Sequence, residues 1–258
     1  MSRNFELLQK IGREQSLYAT KTAEEPIIQE MEPRPVPAVV PVGSRLQIEG
    51  AELEEMTKLV QRVFLLPGND APRTVVFSAT EAGNGCSWVC ARVAEVLASQ
   101  GAGSVCLVDA NLRSPGLHEQ FAVENHHHGL TDALREGEPM RSLAQPLSCP
   151  QLWLVTSGSV AEDRQSLLSS DRMRMRMTEL REDFDYVLID APAIGSSNDA
   201  IVLASSTDGL VLVLKANSSR RESARGAIHD LRAAKVRVLG AVLNQRTFPI
   251  PQSIYDKL

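Results

Sequence analysis

Six short apolar runs recur along the chain: TVVFSA at 74–79, SVCLVDA at 104–110, LWLVTSG at 152–158, YVLIDA at 186–191, GLVLVLK at 209–215 and VLGAVLN at 238–244. Between them lie longer stretches with helical spacing, such as Val89, Val93, Val96 and Leu97. Near-continuous apolar strands alternating with helices predict an α/β fold, a mostly parallel sheet with helices on both faces. Upstream of the first strand, Met56, Leu59, Val60 and Val63 fall at i, i+3, i+4 and i+7 within AELEEMTKLVQRVFLL, which predicts an amphipathic helix over 51–66.

Residues 1–43 have a different texture. Phe5, Leu8 and Ile11, with Leu7 beside them, outline a helix too short to stand alone, and prolines at 26, 33, 35, 37 and 41 then enforce an extended linker. The segment reads either as a docking peptide or as a tail without a partner, ahead of a single α/β domain over 44–258.

Ligands of parallel sheets bind beyond the carboxyl ends of the strands. Three strand ends here carry coherent chemistry. After the first strand, AGNGCS places Gly83, Asn84, Gly85, Cys86 and Ser87 before a helix, where glycines let backbone N–H groups converge on phosphate and a hydroxyl reaches Mg²⁺. After the second, CLVDANLRSP supplies Asp109, with Arg113 four residues on. YVLIDAPA then ends in Asp190, where an acidic residue holds a magnesium-bound water. An aspartate closing a strand is often only a helix cap, but three such ends in this order argue for a nucleotide site.

Composition narrows the classes. A formal charge of −5 gives no reason to expect a nucleic-acid partner. No apolar run is long enough to span a bilayer and no secretory signal is visible, so a cytoplasmic location is expected. The four cysteines, Cys86, Cys90, Cys106 and Cys149, lack CxxC spacing and are expected as reduced thiols. Cys86 and Cys90 share a helix face, yet two soft ligands without further partners make a poor zinc site. His126 to His128 read as an exposed polar loop, and Tyr18 as an ordinary exposed tyrosine.

From about Arg73 to Leu258 the chain resembles the bacterial tyrosine-kinase family, cytoplasmic kinases paired with membrane polysaccharide co-polymerases in capsule and exopolysaccharide export, within the Min and Par-like branch of P-loop ATPases. SATEAGNGCS resembles a loop of the form S-A-x-P-G-E-G-K-S, LVDANLRSPGLHEQF the second acidic motif, and LLSSDRMRMRMTELREDFDYVLIDAPA a helix followed by the third. The closing VLGAVLN, ending in Asn244, matches near the C-terminus. Met173, Met175 and Met177 alternate with Arg172, Arg174 and Arg176, a period of two that suggests a strand; the resemblance implies a helix there, and the arginines read as a solvated face and not as a nucleic-acid patch.

The departures from the family pattern are specific. Cys86 stands in the place of the phosphate-binding lysine, Trp88 in the place of a small hydroxyl residue where phosphates approach, Asn111 in the place of a second aspartate, and Ala193 in the place of a second proline. Tyr255 stands alone where active members carry a tyrosine-rich tail, and EEMTKLVQR, around Glu55, fits the family's oligomerisation helix only loosely.

Taken with the resemblance, these residues imply Mg-ATP or Mg-ADP at Gly83, Asn84, Gly85, Cys86, Ser87, Trp88, Arg113 and Asn244, with metal at Ser87, Asp109 and Asp190 and Asp109 as the catalytic group of any active form. Losing the lysine implies weak or absent nucleotide binding and a pseudo-enzyme that binds a co-polymerase or joins an active homologue in a mixed oligomer. Two rivals stay open: an active tyrosine autokinase or ATPase completed by a partner's cation, and a Par-like positioning ATPase.

Overall fold

The computed structural model describes residues 50–65, 71–125 and 128–246. The N-terminal helix and linker, Tyr18, His126, His127 and Tyr255 lie outside the described residues. Seven strands form one sheet in the order β3-β4-β2-β5-β1-β6-β7. They are β1 (Thr74–Ala79), β2 (Val105–Asp109), β3 (Gln145–Pro146), β4 (Leu152–Val155), β5 (Tyr186–Asp190), β6 (Gly209–Lys215) and β7 (Val238–Asn244). All pairs are parallel except β3 against β4. Every expected strand forms. The additional one, β3, has two residues and contains a proline, tolerable only at a sheet edge and too short to leave a hydrophobic pattern.

The helices are α1 (Ala51–Val63), α2 (Cys86–Ser99), α3 (Leu117–Gln120), α4 (Leu130–Glu136), α5 (Met140–Leu143), α6 (Arg164–Leu168), α7 (Asp171–Asp183), α8 (Asp199–Ala204) and α9 (Arg221–Ala233). Strand residues alternate between two cores. Val75, Phe77, Leu107, Leu188, Val211 and Val213 pack with α1 and α2, while Val76, Val108, Ile189, Leu210 and Leu212 pack with α4 to α9. Both faces are covered, so an alternating pleat reads as a continuous apolar run.

α7 resolves the Met–Arg ambiguity in favour of helix. Ser170 caps it, its Oγ accepting from Met173 N at 3.2 Å, and Met173, Met177 and Leu180 are buried at helical spacing while Met175 is 55% exposed. The expectation of a solvated arginine face is corrected. Arg172 and Arg174 are exposed, Arg172 also donating to the carbonyls of Leu134 and Arg135, but Arg176 falls three residues after Met173, on the buried side, and pairs with Glu179.

A close backbone approach fixes the β4 end of the sheet. Leu130 N and Thr131 N donate to Thr156 O and Ser157 O at 2.8 and 3.0 Å, which brings Gly129 against Gly158. A Cβ on Gly129 would sit 2.3 Å from Gly158 N, and backbone cannot swing aside as a side chain does. Gly129→Ala is therefore expected to destabilise the chain by about 2–3 kcal/mol, lowering Tm by roughly 5–10 °C in a thermal melt, with Gly226→Ala in open space as control.

Candidate functional site

Gly83 and Gly85 take left-handed φ values of 82° and 79°, and the loop they shape ends where α2 begins at Cys86. Between them Asn84 is buried and anchors the turn. Its Nδ2 donates to Thr80 Oγ1 at 3.0 Å and to Ser219 Oγ at 3.1 Å, and its carbonyl accepts from Asn244 Nδ2 at 3.0 Å. A Cβ on Gly85 would lie 2.4 Å from that Asn244 nitrogen. Asn244, expected at the nucleotide, thus reaches the loop itself. Thr80 and Ser219 were not among the expected residues; Ser219 is 135 residues from Asn84, and no local signal joins them.

Asp109 and Asp190 are directly paired across β2 and β5 and both fully buried, but their partners differ. Asp109 accepts from the backbone of Asn111, Gly116 and Leu117 at 3.2, 3.1 and 3.1 Å, so it organises the loop after β2 as a cap. Burial pushes its carboxyl up to about 6 against the pull of those N–H groups. Both oxygens of Asp190 are buried and neither meets a donor at full hydrogen-bond geometry, with the Ser87 hydroxyl and Cys86 thiol as the donors beside them. Burial, with the Asp109 charge adding to it, raises Asp190 to about 7, and the Ser87 hydroxyl and Cys86 thiol draw it only partly back. Burial first, and Asp190 second, push the Cys86 thiol well up; Cys90 is raised the same way, so both sulfurs stay neutral.

Arg113 Nε donates to Asp199 Oδ2 at 3.1 Å, an oxygen that also accepts from Ser197 Oγ at 2.9 Å, so its charge is tied to the start of α8. Trp88 packs against the core beneath α1 and α2, with the Arg92 guanidinium 5.7 Å from the ring centroid. Asn111 accepts from Ser114 N at 3.4 Å within its own turn.

A buried carboxylate without a full hydrogen bond and a glycine turn at a helix start fit a hydrated divalent cation carrying phosphate. Among the described residues no three His, Cys, Asp or Glu side chains converge as a closed metal site. Ser87 and Asp190 would instead hold Mg²⁺ together with water and phosphate oxygens, the ion neutralising phosphate charge. None of Ser78 to Trp88 is basic.

Such a loop, with two aspartates closing the adjacent parallel strands, has the arrangement of a P-loop NTPase-like fold. A family model described as "Cellulose biosynthesis protein BcsQ" matches residues 73–224. Tyrosine-protein kinase YwqD of Bacillus subtilis is 34% identical over 172 residues, 67% of this chain and 72% of that protein. Among solved structures, the chimerical protein CapA2B2 superposes with a TM-score of 0.73 at 21% identity, covering 79% of this chain and 88% of that one. MinD of Pyrococcus horikoshii complexed with Mg-ADP superposes with a TM-score of 0.57 at 21% identity, covering 71% and 76%. The chain belongs to the family of bacterial tyrosine-protein kinases and shares the BcsQ family's domain over residues 73–224.

Proposed function

We propose that this protein is a kinase-fold component of exopolysaccharide or capsule export that holds Mg-ADP or Mg-ATP weakly at residues 83–88, turns it over little, and acts by binding the cytoplasmic part of a membrane co-polymerase. One observation carries the reading: a neutral Cys86 thiol stands at the start of α2 beside the buried Asp190, where the family resemblance has a lysine. Phosphoryl transfer depends on charges aimed at the transferring group, and losing one such donor removes about 10²–10³ in rate. Binding suffers less, because the glycine turn, the Ser87 hydroxyl and Asp190 do not depend on that residue. The similarity to a cellulose biosynthesis family and to a tyrosine-protein kinase supports the polysaccharide and kinase contexts. Among the described residues no helix is long and apolar enough to cross a membrane, in keeping with attachment through a partner.

The test is titration of Mg-ADP and Mg-ATP into the full chain, followed by a phosphorylation assay and co-purification with a co-polymerase cytoplasmic segment. Saturable binding, hydrolysis about 100-fold or more below a lysine-bearing relative, and stable association are expected. Vigorous labelling of Tyr18 or Tyr255 that disappears in Asp109→Ala would overturn the reading in favour of an active autokinase.

A further inference from the structure

The loop has no cation of its own, but strand β6 brings one to it. Val213 and Val242 are paired across β6 and β7 and both lie on the α2 side of the sheet. Two residues further along each strand the side-chain period repeats, so the next pair on that face is Lys215 and Asn244. Asn244 is the residue whose amide touches the glycine loop. β6 lies between β7 and β1, so Lys215 rises from the strand adjacent to the one that feeds the loop. Hydrogen bonding gives the same placement. Lys215 N and Asn84 Nδ2 donate to the same Ser219 Oγ, at 2.9 and 3.1 Å. Lys215 is half-buried, and among the described residues its ammonium enters no hydrogen bond or ion pair.

We infer that Lys215 takes over the phosphate-binding charge that Cys86 lacks, its ammonium reaching the nucleotide phosphates seated on the glycine loop from β6. The assignment rests on the nucleotide reading above. A lysine is suited to it, since the ammonium is a point charge on a four-carbon stem and needs no fixed fork geometry to meet phosphate. Arg113 is not a competing donor, because Asp199 holds it. The charge then approaches from the side of the sheet and not from the helix start, which maintains binding while leaving the developing charge of phosphoryl transfer without its usual donor.

Isothermal titration of Mg-ADP into the wild-type chain, Lys215→Met, Lys215→Arg and the double variant Cys86→Lys/Lys215→Met tests it. Lys215→Met is expected to weaken binding about 10- to 100-fold, Lys215→Arg by less than about 5-fold, and the double variant to recover most of the loss. A folded Lys215→Met chain that binds within about 2-fold of wild type overturns the assignment but leaves the nucleotide reading intact. A wild-type chain that binds nothing overturns both.

Discussion

Replacing Asp190 by asparagine is expected to stabilise the nucleotide-free chain at pH 8, and to stabilise it less and less as the pH falls. The buried carboxyl titrates near 7 in the folded chain and near the ordinary 3.8 once unfolded. Between those values the folded chain holds a proton that the unfolded chain has released, so wild-type stability declines as pH rises through the window. Above pH 7 the full cost is present; below about pH 4 both states are neutral and it disappears. The shift corresponds to about 2–4 kcal/mol after allowance for coupling to Asp109, or roughly 5–12 °C in Tm at pH 8. Saturating Mg-ADP should reverse the order, because the ion needs the charge that asparagine lacks. A difference in Tm between wild type and variant that stays flat from pH 5 to pH 8 would exclude this account.

Cys86→Lys carries the second large effect. The new ammonium would occupy the first position of α2 beside the buried Asp190 carboxyl, whose neighbours there are the neutral Ser87 hydroxyl and Cys86 thiol. Affinity for Mg-ADP is expected to rise about 10- to 100-fold, the gain of a charged donor to phosphate. The increase should be greatest in a Lys215→Met background, where no other cation serves the loop. The same substitution should pull Asp190 down and flatten the decline of stability between pH 4 and 7. Cys86→Ala separates charge from thiol removal and should leave affinity within about 2-fold. A folded lysine variant with unchanged affinity would mean that the loop does not present phosphate to this position.

The architecture was readable in the sequence because both cores draw on the same strands. TVVFSA and YVLIDA are near-continuous apolar runs since each face is buried, and runs of that kind separated by helical spacing admit few other folds. The strand-end residues were legible for a related reason: Gly85, Ser87, Asp109 and Asp190 sit where a run stops, a feature visible one segment at a time. What stayed hidden lies between segments. Nothing near Ser219 signals that its hydroxyl meets Asn84, and nothing near Arg113 signals Asp199. Arg176 was misassigned because alternation with methionine hides which turn of the helix faces inward; only packing of α7 against the sheet decides it. Asp109 and Asp190 look alike in sequence, yet one is saturated by backbone donors and the other has none.

The anchoring of Asn84 also orders events during synthesis. Its partners are Thr80 nearby, Ser219 at a separation of 135 residues and Asn244 at 160, on the last described strand. Contacts so far apart in the chain form late, after the entropy of closing the intervening loops has been overcome. A nascent chain emerging from the ribosome would therefore display its glycines and both aspartates long before it owns a finished loop. On the proposed nucleotide reading, competence to hold the ligand arrives only with β7, making it a witness to complete folding and not a template for it.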